Sequence, residues 1–345
     1  MARITGGEYT WPGLNLGQLQ SLDPLQMDAS FVGGGLAQMN ANNDANGLVE
    51  VSRRATENFR SLDVSCTEAD LAVARDLGLL AGSMLRVNVD VEQVTPEVVG
   101  ALMTIADKTD MIPYHTVFHY SLGNPDGPRM RTFTKSEQEK LFVEQVRIGM
   151  EAFGDAALSL GKIFCGSVDI KDEGTAFALR EATNSIELGI QTIPTVMKQV
   201  GGRYFAEVLR PYFNPLIVDG VSYDAPGGAQ MPLMVVDHML FASDLPDNDY
   251  GAYRAKNIGY LTPSARRFME STMGQSSLKT RRAEMSDESQ LELDGLLKKL
   301  YAFRAAHHKL AKDSFSHRDQ EAVGSGGARP DLLQDLTHLT HSQIH

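Results

Sequence analysis

Cysteine and tryptophan are scarce in this sequence, and positive charge is in deficit. Its 345 residues include two cysteines, Cys66 and Cys165, and one tryptophan, Trp11. Two cysteines so far apart make neither a disulfide framework nor a clustered metal site. Lys and Arg number 32 against 44 Asp and Glu, giving a formal net charge of −12 and a pI near 5.2. That balance argues against nucleic acid or an anionic membrane surface as partner, because both are bound through basic residues. No apolar run approaches the roughly 20 residues of a membrane-spanning helix. The opening MARITGGEYTWPG has no apolar core behind its basic residue, so export is not expected. No internal repeat is evident. The expected compartment is the cytoplasm.

An apolar content of 42% allows a large core. The length suits one large domain plus a smaller one. Residues 1–62 are rich in Gly, Asn and Asp, with helix expected at Pro24–Ser30 and Gly47–Arg60. SCTEADLAVARDLGLLAGSMLRV reads as a helix with Thr67 as its N-cap and Glu68 and Asp70 in its first turn. VTPEVVGALMTIADKTD repeats that pattern, with Thr95 as cap and Pro96 at the first helical position. These form a small helical N-terminal domain, residues 1–113, ahead of a large helical domain, residues 114–345.

The larger part starts with HTVFHYSLGNPDGPRM, which is expected to begin extended and end in turns. A long amphipathic helix follows, capped by Ser136. A second runs from about Thr175 to Val200, where Gly201-Gly202 stops it. Tyr204–Tyr212 is short and helical, and LIVDGVSYDAP is a small hairpin around Asp219-Gly220. Further helices are expected at Met231–Ala242, Asp249–Ile258, Thr262–Met273 and Arg329–Leu339. The fold class is all-α.

The most informative stretch is Leu291–Gly327, one long helix followed by a glycine-rich loop. Leu293, Leu296, Leu297, Leu300, Phe303, Leu310 and Ala311 recur at spacings of three and four and make one buried stripe. His307 falls on that stripe; His308 falls beside Lys312, towards the polar side. One reading of His307 is an inert, hydrogen-bonded core histidine. The other is an axial ligand to haem iron, since a neutral imidazole flanked by Ala305 and Ala306 suits a flat apolar macrocycle. No Cys-x-x-Cys-His run occurs, so any haem is held non-covalently. Asp237 sits in the nearly apolar run MVVDHML, where a lone carboxylate is costly unless paired. It reads as a partner of a functional group, as a cap or as half of a salt bridge, and His238 beside it is a competing candidate.

The run FRAAHHKLA followed by GSGG resembles the haem helix and following loop of the monodechloroaminopyrrolnitrin synthase family. That family belongs with indoleamine 2,3-dioxygenase and tryptophan 2,3-dioxygenase. The resemblance extends from Asp23-Pro24-Leu25-Gln26 to the last helix, with further strong blocks at FAEVLRPYF and VDGVSYDAPGGAQMPLMVVDHML. Several ordered blocks are far more specific than GSGG alone, which is ordinary linker composition.

The resemblance implies an indoleamine 2,3-dioxygenase-like helical haem fold with haem b on His307. It gives Asp237 the role of accepting from the axial imidazole, which pushes electron density onto the iron. Arg304, three residues before His307, would tie haem or the glycine loop in place. Arg210 would grip a substrate carboxylate in a bidentate pair, and Phe205 would lie against the substrate ring. The alternatives are a structural cation near a helix end for Arg210 and a solvated arginine for Arg304. Ser325 would bond the substrate's amine or carboxylate, and Gly326 would allow close backbone approach. One departure stands out. The family member has a tyrosine eight residues after its axial histidine, where this chain has Phe315. His115 and His119 are candidate distal groups, with a structural role as the competing reading.

Three classes of function follow. The first is a haem-dependent oxygenase or oxidase of secondary metabolism, using dioxygen or peroxide on tryptophan or a related aromatic amino acid or amine. Oxidative rearrangement and oxygen insertion, including tryptophan 2,3-dioxygenase activity, are its chemistries. The second is a non-catalytic haem sensor, and the third is a helical scaffold. A small aromatic substrate and a second copy of the chain are the partners considered.

Overall fold

The computed structural model describes residues 10–60, 66–226, 232–245, 249–317 and 330–344. The described residues form helices and one small hairpin. Leu16–Ser21 (α1), Asp28–Val32 (α2), Gly35–Ala41 (α3) and Ala45–Arg60 (α4) come first. Thr67–Arg86 (α5), Val91–Val94 (α6), Pro96–Thr109 (α7) and Val117–Tyr120 (α8) follow. The remainder is Glu137–Phe164 (α9), Glu173–Thr195 (α10), Gly202–Tyr204 (α11), Leu233–Asp237 (α12), Asp249–Asn257 (α13), Pro263–Ser271 (α14), Asp287–Phe315 (α15) and Pro330–Ser342 (α16). Leu216–Val218 (β1) and Val221–Tyr223 (β2) pair antiparallel.

Local chemistry accounts for most boundaries. Ser136 accepts from the Glu139 amide at the start of α9, and Ser286 accepts from the Ser289 amide at the start of α15, each satisfying an orphan donor. Pro96 occupies the first turn of α7 after Thr95. Cys66, one residue before the expected Thr67, is the N-cap of α5. The hairpin turns on Asp219 and Gly220, both at positive φ (49° and 76°), as a two-residue turn matching strand twist requires. The segment expected to begin extended is helical instead at α8, because Thr116 and His119 close a capping box there.

Three π-helical turns were not foreseen from periodicity. Val196–Val200 extends α10, Phe205–Leu209 follows α11, and His238–Ala242 extends α12. Arg210–Phe213 then closes as a 3₁₀ turn.

Two apolar cores result. One gathers α9, α10, α12, α14 and the first half of α15, around Phe164, Leu179, Met234 and Leu297. The other is built on α5, where Leu77, Leu80 and Met84 meet Phe133, Tyr212 and Phe213. Gly82 permits that second contact: a Cβ there would lie 2.7 Å from the Tyr212 carbonyl oxygen. Aromatic pairs reinforce it, with Phe133 stacked on Tyr212 at 4.4 Å and Tyr120 edge-on to Phe213 at 5.2 Å. No helix among the described residues is long and apolar enough to cross a membrane.

Candidate functional site

The stripe on α15 changes character half-way. Leu293, Leu296, Leu297, Leu300 and Phe303 are buried, as is Arg304. From Ala305 to Phe315 no side chain is fully buried, although Ala306, His307, Leu310 and Ala311 continue the same spacing. His307 is half-buried, with its ring stacked on Phe303 (centroids 5.7 Å apart, planes 15°). Desolvation first, then the charge of Arg304 and the neighbouring His308, push its pKa down to about 4. The imidazole is therefore neutral at neutral pH, the form that ligates a metal.

Arg304 is not a solvated surface group. It is 5% exposed and donates to Asp237 Oδ2 at 2.5 Å and to the Thr340 hydroxyl. Tyr250 donates to the same carboxylate oxygen at 3.0 Å. Asp237 Oδ1 is buried without a hydrogen-bond partner. Burial pushes the Asp237 pKa up, opposed by the Arg304 charge and by hydrogen bonds from Arg304 and Tyr250. Among the described residues no hydrogen bond joins Asp237 to His307; the carboxylate reaches the histidine's helix through Arg304, three residues earlier. Four elements thus converge on one buried pair: α12, α13, α15 and α16.

Neighbouring His238 takes a different place. Its Nε2 pairs with the Thr272 hydroxyl at 2.8 Å, and its ring meets Phe164 and Phe268 edge-on. Burial holds its pKa near 3.

Phe205 and Arg210 flank the second π-turn, a local widening that recurs at functional sites. This segment packs on the far end of α15, where a Cβ on Gly202 would come within 2.9 Å of the Ser314 amide nitrogen. Phe205 is partly exposed and tilts against Phe142 at 5.2 Å. Arg210 is 4% exposed and donates to the Phe213 carbonyl at 2.5 Å. Its charge also acts on Tyr114. The structure therefore brings the Phe205–Arg210 segment and the open half of α15 together. Ser325 and Gly326 lie outside the described residues.

His115 and His119 are fully buried, with pKa values held near 3 mainly by desolvation. His119 Nδ1 accepts from the Thr116 amide and caps α8, which is a structural role. His115 packs on Gly78 of α5, where a Cβ would lie 2.7 Å from its ring. Sequence reading had not selected Tyr250 or Thr340. Each is one polar group on an otherwise ordinary helix, and nothing in spacing marks it.

The described features fit haem at the level of chemistry. A neutral imidazole stands on the apolar stripe of α15 where the described side chains are only partly buried, one turn beyond a buried acid–base pair with one unused carboxylate oxygen. The profile of one family, described as monodechloroaminopyrrolnitrin synthase PrnB, matches residues 15–344, nearly the whole chain. The chain belongs to that family, which is a family of enzymes.

Proposed function

We propose that this chain is a haem-dependent oxidoreductase acting on tryptophan or a related aromatic amino acid or amine in secondary metabolism. The observation that carries the proposal is the neutral, half-covered His307 at the point where the buried stripe of α15 opens. Family membership supports it. Haem b bound through His307 would supply the power to activate dioxygen or peroxide.

The chain's own residues supply position and charge. The Arg304–Asp237 pair fixes the rotation of α15 just ahead of the ligand and sets the field around it. Leu310, Ala306 and Ala311 give the apolar face that a macrocycle would cover. Arg210 would pair with a substrate carboxylate, and Phe205 would offer a wall to its aromatic ring. Ser325 would bond the amino-acid end, and Gly326 would let the backbone approach it. Phe315 brings no phenolic proton where the family member has a tyrosine. Oxidative rearrangement or oxygen insertion is the reaction type proposed.

The test begins with the spectrum of the purified protein. A Soret band is expected, and His307→Ala should lose haem or change its spin state while helical content survives. If His308→Ala does this and His307→Ala does not, the ligand is assigned to the wrong residue. Mass spectrometry after incubating the reduced protein in air with tryptophan, chlorotryptophans and tyrosine then identifies the substrate.

A further inference from the structure

Arg304 is the last fully buried side chain on α15, and His307 lies one turn beyond it. How firmly Arg304 is held therefore governs where the imidazole stands. Two side chains outside α12 and α15 hold it. Thr340 of α16 is 0% exposed and accepts from Arg304. Its own hydroxyl proton goes to the Leu336 carbonyl at 2.8 Å, so a lone pair faces the guanidinium. Tyr250 of α13 is 3% exposed and donates to Asp237 Oδ2, the oxygen that Arg304 also uses. A ring contact between Tyr301 and His341 at 5.0 Å fastens α16 to α15 just before this point.

We propose that Tyr250 and Thr340 are positioning residues for His307, acting through the Asp237–Arg304 pair. Neither touches the imidazole. Tyr250 fixes the carboxylate, and Thr340 fixes the second arm of the guanidinium. Together they define the position of a helix end that has no fully buried side chain of its own. The inference takes its functional meaning from the haem-ligand reading of His307, but its first test does not depend on haem.

Tyr250→Phe and Thr340→Val keep shape and remove one polar atom each. Thr337→Val is the control, because the Thr337 hydroxyl lies on the same helix and, among the described residues, donates to the Leu333 carbonyl at 2.6 Å and not to the Asp237–Arg304 pair. Hydrogen exchange on the full-length protein is read over residues 305–315 and over 287–303. Both test variants should speed exchange in 305–315 by about ten-fold, the scale of one lost hydrogen bond, and leave 287–303 unchanged. The control should do neither. In the reduced haem-loaded protein the iron–histidine stretching band should shift or split in both test variants and stay fixed in Thr337→Val. Unchanged exchange over 305–315 overturns the proposal. So does faster exchange with a stationary iron–histidine band, because the two residues would then merely stabilise the helix end. If no Soret band appears, the haem reading falls and the exchange data alone decide whether the two residues position α15. Should Tyr250→Phe fail to fold, Thr340→Val carries the same test.

Discussion

Arg75 and Arg131 share Asp76 in one buried ion cluster, while Arg304 shares Asp237 with Tyr250 in another. In the first, all five N–H donors of Arg75 find acceptors: both oxygens of Asp76 and the carbonyls of Leu19, Leu22 and Gly123. Arg131 adds Asp23, Asp28 and a second bond to Asp76. No polar atom of Arg75, Asp76 or Arg131 is left without a partner. This cluster staples the segment before α3 onto α5. In the second, among the described residues, Asp237 Oδ1 has no partner and no side chain of α15 beyond Arg304 is fully buried. A saturated network can only hold chain to chain. An unsaturated one, at the same burial, has capacity left for something else, since an unsatisfied buried polar group costs about 1–3 kcal/mol.

Acid is expected to have the largest effect and to strike both regions. His119 lies near Arg75, His238 adjoins Asp237, and His115 sits on α5; all three have pKa values near 3. Below about pH 6.5 the unfolded chain binds protons that the native histidines do not, so stability falls as pH falls towards 3. Each histidine then removes about 2 kcal/mol at pH 5, or roughly 6 kcal/mol for the three. The raised pKa values of Glu139 and Asp237 act with the opposite sign and offset part of this loss. Urea unfolding at pH 7 and pH 5 measures the difference. His307, with its pKa near 4, adds a loss of the same scale, so His119→Phe and His238→Phe should each flatten the slope by about a quarter. If only one does, acid sensitivity belongs to one region alone.

Asp76→Asn should come next. It leaves the buried Arg75 guanidinium without a carboxylate, while Arg131 keeps Asp23 and Asp28, and should cost on the order of 3–5 kcal/mol, read from denaturant midpoints. Asp237→Asn should cost less, about 1–3 kcal/mol, because one of its oxygens is unused and Arg304 keeps Thr340. If haem is bound as proposed, it should, however, shift the reduction potential, whereas Asp76→Asn should leave the potential where it was. Equal shifts in both variants would erase the distinction drawn between the two clusters.

The smallest effects concern substrate. Arg210 is a further buried arginine, bonded to the Phe213 carbonyl. Arg210→Leu should weaken tryptophan binding about ten-fold to a hundred-fold, and Ser325→Ala by about ten-fold or less, measured by spectral titration. Tryptamine, which has no carboxylate, should be nearly indifferent to Arg210→Leu. Equal losses for both ligands would place Arg210 with the structural arginines.

Much of the helical layout could be read from the chain. The cap at Ser136, Pro96 in its first turn and the Asp219-Gly220 hairpin are local events, fixed by hydrogen bonds and dihedrals within a few residues, whereas the start of α15 at Asp287 behind Ser286 lies four residues before the expected Leu291. The π-turns were not legible, because one extra residue in a turn leaves no mark in a spacing of three and four. Arg304 illustrates the limit at the site. Three residues before a candidate ligand, it reads equally as a surface cation or a tether.

Composition and periodicity by themselves determined an all-α chain with a long helix carrying His307 on its apolar stripe. They follow from the 3.6-residue period and from short-range capping. Tertiary structure alone decided that, among the described residues, the stripe is fully buried as far as Phe303 and only partly buried beyond it. It also decided that Arg304 meets Asp237, 67 residues away, and Thr340, 36 residues away, and that Tyr250 completes the set. A buried charge must find a partner, but the sequence does not say which one. That choice belongs to the packing of α12, α13, α15 and α16, which brings distant residues to one point.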